Sequence, residues 1–168
     1  MRNFTKIEKE RIKALTGKSV SLTLIEPTRT GIKKSIMDAT VPVRLFLKNQ
    51  GLHNYQEQGQ GQEHKHIIDA YLIKGDSLIN TKASLYRPKT KNGDPRIWFS
   101  KLNNYSNPND ILGIINVDGI LYVVNITQLD IAALLEKGKI NPLEELVKSI
   151  YISQNSIAEE LLQKLKQN

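Results

Sequence analysis

The hydrophobic positions of this chain recur with two different periods, and the period switches several times along its length. Near the start, Phe4, Ile7, Ile12 and Leu15 return at roughly helical intervals between Thr5, a capping residue type, and Gly17, a stopping one. That spacing predicts a short amphipathic helix. In SVSLTLIE, Ser19 to Glu26, the residues Val20, Leu22 and Leu24 alternate with Ser19, Ser21 and Thr23. A period of two predicts a strand with one face in water, ended by Pro27. TRTGIKKS follows as a basic link. TVPVRLFLKNQG, Thr40 to Gly51, opens on a capping Thr with an early Pro and closes on Gly, which predicts a helix of about two to three turns.

HNYQEQGQGQEHK is polar and glycine-containing and reads as a long loop. Strands are expected at His66 to Ile73 and around Ser77 to Tyr86, with Arg96 to Phe99 pairing back across a hairpin. ILGIINVDGILYVVNI, Ile111 to Ile126, holds two β-branched runs around Asp118-Gly119, the strongest short-range turn signal. From LDIAALLEKG onward the helical period returns, with Asn141 as a cap and Pro142 at the first helical position of NPLEELVKSI. The expected organisation is an α+β, β-rich body over residues 1–127 and a helical extension over residues 128–168.

Composition narrows the function. The 168 residues include no cysteine, which excludes disulfides, thiolate metal sites and cysteine nucleophiles. No apolar run approaches the roughly 20 residues of a membrane span, and MRNFTKIEKERIKAL lacks the apolar core of a signal peptide, so a cytoplasmic location is expected. The formal charge of +7 is uneven: residues 1–101 carry a net +10 and residues 102–168 a net −3. Residues 82–101 alone hold 6 basic side chains and one acid, Asp94. Such concentration suits a polyanion more than a merely solvated loop. No basic amphipathic helix with an aromatic face is present, so a membrane ranks last among the partners.

Catalytic signatures are sparse. There is no P-loop, the Gly59-Gln60-Gly61 run does not complete a dinucleotide fingerprint, and neither H-E-x-x-H nor G-x-S-x-G occurs. His64 and His66 lie two apart and would need Glu63 or Asp69 as a further metal ligand, a weak signal beside a glutamine-rich loop. Glu63-His64-Lys65 with upstream Asp38 spells the carboxylates and lysine of a Mg²⁺-dependent nuclease. The match is short, and QEQGQGQ before it is not an apolar strand.

The stretch YRPKTKNGDPRIWFS is better supplied. Arg87, Lys89, Lys91, Arg96 and the following Lys101 surround an Asn-Gly-Asp-Pro turn, flanked by Tyr86, Trp98 and Phe99. In an extended strand Ile97 and Phe99 face the core, and Arg96, Trp98 and Ser100 face outward. A two-stranded ribbon fits the DNA major groove, where arginine or lysine reads guanine and asparagine or glutamine reads adenine. Asn92 on the loop and Gln58 and Gln60 upstream, with His64 and Lys65 beside them, would add readers, and Arg29, Lys33 and Lys34 suit phosphates. The lone tryptophan is as well explained by core packing.

ASLYRPKTKNGDPRIWFSKL, with EPTRTGIKKSIMDATVPVR and GLHNYQEQGQGQEHK upstream, resembles the DNA-recognition pseudobarrels of bacterial restriction proteins. That group includes the EcoRII effector domain and relatives in plant transcription factors, and the likeness is nearest to target-recognition domains of LlaJI and McrB-type systems. It covers about residues 20–126. The resemblance implies an open seven-stranded barrel with short helices and two arms that grip the major groove. One arm would be the 86–96 loop, the other the 26–34 or the 54–65 segment. It also implies a nuclease or AAA+ partner module, for which this chain has no Walker motif.

The expectation is therefore a sequence-specific double-stranded DNA-binding domain of a restriction-modification system, with no catalysis and no cofactor of its own. Lys33, Lys34, Lys89 and Lys91 would anchor phosphates, and Gln60, Arg87, Asn92 and Arg96 would approach bases. Three alternatives stand beside it: a Mg²⁺-dependent nuclease using Asp38, Glu63 and Lys65; a single-strand binder stacking bases on Tyr86 and Trp98; and a module whose basic face meets an acidic protein.

Overall fold

The computed structural model describes residues 1–15, 22–74 and 77–128. Within them the fold is α+β: a seven-stranded, open and strongly curled sheet with a few short helices. The elements are α1 (Lys6–Leu15), β1 (Leu22–Ile25), α2 (Arg29–Lys34), β2 (Met37–Asp38) and α3 (Val41–Asn49), followed by β3 (His66–Lys74), β4 (Ser77–Tyr86), β5 (Arg96–Phe99), β6 (Leu112–Val117) and β7 (Ile120–Asn125). The strand order is β1-β6-β7-β3-β4-β5-β2. Every pairing is antiparallel except β3 with β7, where Ala70 lies opposite Leu121 and Ile73 opposite Val124. That parallel pair joins two antiparallel halves. No helix among the described residues is long and apolar enough to cross a membrane. The expected helical extension, the Gly17 stop and residues 19–21 of the first strand lie outside the described residues.

β7 explains the two-sided packing. Its run ILYVVN is apolar on both faces, so it needs cover on both. Leu121 and Val123 enter the main core with Val43 and Leu47 of α3 and with Leu72, Leu85, Ile97 and Phe99. Tyr122 and Val124 enter a second cluster with Ile111 and Ile115, against which Phe4 and Ile12 pack. β1 is likewise covered on both sides, against the expectation of a wet face: Leu22 and Leu24 join the second cluster, and Thr23 and Ile25 are buried. The alternation in the sequence was real, but both of its faces are occupied.

α1 departs from its expected face. Ile7 is 57 % exposed, and Glu8 is buried at 2 %. The cause is a capping box: Thr5 Oγ1 accepts from the Glu8 amide at 3.1 Å, and Glu8 Oε1 accepts from the Thr5 amide at 2.9 Å. The same carboxylate takes a two-pronged hydrogen bond from Arg2 at 2.7 and 2.6 Å and another from the Thr127 hydroxyl at 2.6 Å. Arg11 donates to the carbonyls of Ile126 and Thr127. One buried carboxylate thus fastens the N-terminal helix to the chain just past β7.

TRTGIKKS is not a plain link but helix α2. Thr28 caps it by accepting from the Gly31 amide, and Ser35 ends it in the left-handed region (φ 55°) with the Ile36 amide bonded to the Gly31 carbonyl at 2.9 Å. Residue 31 must be glycine here, since a Cβ would lie 2.6 Å from the Ile36 oxygen. The HNYQEQGQGQEHK loop contains two short 3₁₀ turns, Tyr55–Glu57 and Gln62–His64.

The Arg2 hydrogen bonds hold the Glu8 carboxyl at about 2, below the usual 4.5. A depressed folded pKa contributes stability that is complete above 4.5 and is lost as pH falls through about 2. Glu8→Gln is therefore expected to cost about 2–3 kcal/mol at pH 7. Urea unfolding at pH 7 and pH 3 checks this: the gap between wild type and variant should narrow at pH 3, and an unchanged gap would rule out the carboxylate charge as its source.

Candidate nucleic-acid interface

The segment between β1 and β2 and the loop between β4 and β5 meet across an open groove of about 870 Å³. On one side stand Glu26, Thr28, Thr30 and Lys34; on the other, Pro88, Thr90 and Lys91. Met37, Asp38, Tyr86 and Arg96 form its floor, where β2, β5 and β4 run side by side. Arg2 and Gln62 complete the rim.

The β4–β5 loop is a built object. Its tip turns through three consecutive left-handed residues, Lys91 (φ 54°), Asn92 (φ 56°) and Gly93 (φ 69°). Non-glycine residues adopt that region at a cost, so neighbours must hold it. Arg87 Nε donates to the Gly93 carbonyl at 2.8 Å, and Arg87 Nη1 donates to the Gln58 carbonyl at 3.0 Å and faces that of Tyr55 at 3.5 Å. The Gly61 amide returns a bond to the Arg87 carbonyl at 2.8 Å. Gln60 lies against Gly93 so closely that a Cβ there would be 2.6 Å from its Nε2. The 54–65 segment thus buttresses the loop from behind, and the 26–36 segment forms the opposite wall.

The buttress is fastened by an amide–imidazole chain. Gln58 Nε2 donates to the carbonyls of His64 and Leu85 at 2.8 and 2.9 Å, which fixes the amide and turns Oε1 toward His53 Nε2, 3.1 Å away. The network therefore assigns the hydrogen of His53 to Nε2. His53 Nδ1 must then accept from His66 Nδ1, 3.0 Å away. Burial, aided by His66, lowers the His53 pKa below the usual 6.5, while the Gln58 bond opposes the shift.

The expected site residues divide accordingly. Lys34, Lys91 and Arg96 line the groove. Arg29 and Lys33 are exposed on the α2 wall. Lys65 sits 5.2 Å over the Tyr86 ring, and Lys89 lies 3.6 Å from Glu63. Arg87, through Nε and Nη1, and Gln58, through Nε2, donate to backbone carbonyls and hold the loop. Asn92 turns to the far side of the loop, into a hollow with Arg44, Lys48 and Tyr55. The His64 ring covers Gly59, away from the groove. Trp98 does not stand open on the outer face; it is half-buried against the main core. Lys101 is at the opposite end of β5 from the loop, donating to the Asn80 carbonyl at 2.8 Å.

Arg2 and Thr30 were not singled out by the sequence. They lie on the rim because α1 and α2 are folded there, and no local pattern announces either. Glu26 is held in place as a carboxylate: Asn109 Nδ2 and the Arg2 amide donate to it at 2.7 and 2.9 Å, and the Asn109 bond leads in holding its pKa below 4.5. Among the described residues no three His, Asp or Glu side chains come together as a metal-ligand set. Of the nuclease trio, Asp38 pairs with Arg96 and Glu63 with Lys89.

No family model matches the chain, and neither the curated proteins nor the solved structures hold a match to it.

A histidine whose folded pKa is lowered supports the native state fully above its unfolded value and progressively less as pH falls through the folded one. The buttress is expected to loosen as pH drops below about 6.5. Amide hydrogen exchange at pH 7.5 and 5.5, corrected for intrinsic rates, should show residues 54–65 losing protection ahead of β6 and β7. In His53→Gln the difference between the two pH values should shrink; an undiminished difference would place the pH dependence elsewhere.

Proposed function

We propose that the chain is a sequence-specific double-stranded DNA-binding domain, and that it serves a restriction-modification system in the cytoplasm. One observation carries the reading. Two basic segments some sixty residues apart in sequence stand as opposite walls of a single groove, with exposed lysines on the walls and Asp38, Tyr86 and Arg96 on the floor beside Met37. Lysines on the walls suit phosphates, which supply affinity and register, and a recessed floor with Arg96 suits base edges, which supply specificity. The resemblance of ASLYRPKTKNGDPRIWFSKL and EPTRTGIKKSIMDATVPVR to restriction pseudobarrels points the same way, and both stretches lie at this groove. On this reading the arms are residues 26–36 and 86–96, with residues 54–65 as support. The chain itself recognises, and cleavage or translocation belongs to a nuclease or AAA+ partner module.

Selection from a random duplex pool at two salt concentrations tests it. A short motif that stays enriched at the higher salt supports a specificity domain. Salt-sensitive binding with no motif would overturn it. Lys91→Ala should weaken all sequences alike and reduce the slope of log K against log salt by roughly one. Arg96→Ala should cost about 1–3 kcal/mol on the preferred site and relax preference at one base pair. Uniform loss of affinity in both variants would remove Arg96 as a reader.

A further inference from the structure

The groove floor holds a carboxylate that a phosphate-binding surface has no use for. Asp38 is the last residue of β2, directly opposite Arg96 of β5 in the sheet register. Directly paired residues project from the same face, and Asp38 Oδ1 lies 3.6 Å from Arg96 Nε, an ion pair too long for a hydrogen bond. The two side chains are exposed very differently: 81 % for Asp38 and 15 % for Arg96. Packing holds the arginine stem, and its Nε is buried without a hydrogen-bond partner. The carboxylate stands out into the groove.

The other acids there are disposed of otherwise. Glu26 accepts from Asn109 and the Arg2 amide, and Glu63 lies beside Lys89. Asp38 keeps its acceptor capacity free for something in the groove. Against a phosphate wall it would only repel. Against base edges an acceptor-only group discriminates: it takes a hydrogen bond from an exocyclic amino group and rejects the keto and ring-nitrogen acceptors of guanine and thymine. Adenine offers an amino group with the N7 acceptor beside it, whereas the cytosine amino group has no acceptor next to it in the major groove. The adjoining Arg96 is donor-only and complements guanine O6 and N7.

We infer that Asp38 is a specificity-determining residue that accepts a hydrogen bond from a cytosine amino group, beside a guanine read by Arg96. The target therefore contains a C·G pair at the position facing β2 and β5. This deepens the DNA-binding reading and rests on it.

The test is the same random duplex selection run with wild type, Asp38→Ala and Asp38→Asn. Thermal unfolding confirms first that the exposed substitutions leave the fold intact. The wild-type motif should contain a C·G pair at which Asp38→Ala loses about tenfold in discrimination, while binding to random duplex stays equal or tightens as a negative charge leaves. Asp38→Asn should move that one position toward adenine. An Asp38→Ala motif identical to that of wild type would overturn the role of Asp38 and leave DNA binding standing. Loss of affinity for every sequence would also overturn it, by making Asp38 a structural support. A wild type that selects no motif would remove the specificity reading itself, and the inference with it.

Discussion

The fold depends on a short tether between opposite edges of one sheet. β1 and β2 are the two outermost strands, yet only residues 26–36 separate them in sequence. Laid flat, seven strands at about 4.8 Å spacing would put those edges about 29 Å apart. The link contains helix α2, and at about 1.5 Å per helical residue and about 3.4 Å per extended one it spans only about 26 Å if pulled straight. It is not straight, because the left-handed Ser35 and the Ile36–Gly31 hydrogen bond fold it back on itself. The sheet must curl until its edges approach. Curling gives the main core its concave side, where α3 packs, and carries the 26–36 segment toward the β4–β5 loop. The groove is a consequence of a tether too short for a flat sheet.

The facing wall is set by a different kind of constraint. A loop with three left-handed residues at its tip does not hold its shape through local preference, and this one is held by a guanidinium. Arg87 binds carbonyls on both the loop and the 54–65 segment, and Gln58 ties that segment to β4 and, through His53, to β3. Tyr55 adds a buried hydroxyl that donates to the Arg96 carbonyl at 2.9 Å, its ionisation pushed well up by burial. The result is a wall whose outward cations, Lys89 and Lys91, stand on a supported base. A supported base lowers the conformational entropy lost when a ligand is bound.

Charge on this surface is sorted by depth. Exposed lysines occupy the walls, Arg96 lies deeper on the floor beside Asp38, and Arg87, behind the loop, is committed to carbonyls. That division, with Arg96 packed along its stem and its fork still presented to the groove, suits the different hydration of the two groups, since lysine is a strongly hydrated point charge and arginine a planar fork that tolerates burial. It also explains why charge density along the sequence overstates the number of free cations at the groove. His53 and Glu8 respond to pH at separate places, the first behind the groove and the second where α1 meets the end of β7.

Local chemistry by itself determined most elements: the Asp118-Gly119 hairpin, the long β3 and β4, the Pro- and Gly-bounded α3, and the burial of Ile97 and Phe99. Each follows from a period, a turn type or a cap contained within about a dozen residues. The basic character of 82–101 was legible for the same reason. The tertiary structure alone decided everything requiring a partner distant in sequence. Ile7 and Glu8 exchange inside and outside because Arg2 and Thr127 converge on the carboxylate. Thr23 is buried because α3 covers the face that alternation assigns to water. Arg87 and Gln58 become supports, and Lys101 falls at the far end of β5, because pairing and hydrogen bonding, not composition, set which side chains remain free. Residues 26–36 and not 54–65 form the second wall, since only the former must bridge the sheet's two edges. A sequence states which side chains carry charge; only the register of strands and the reach of a connecting link state where that charge is presented.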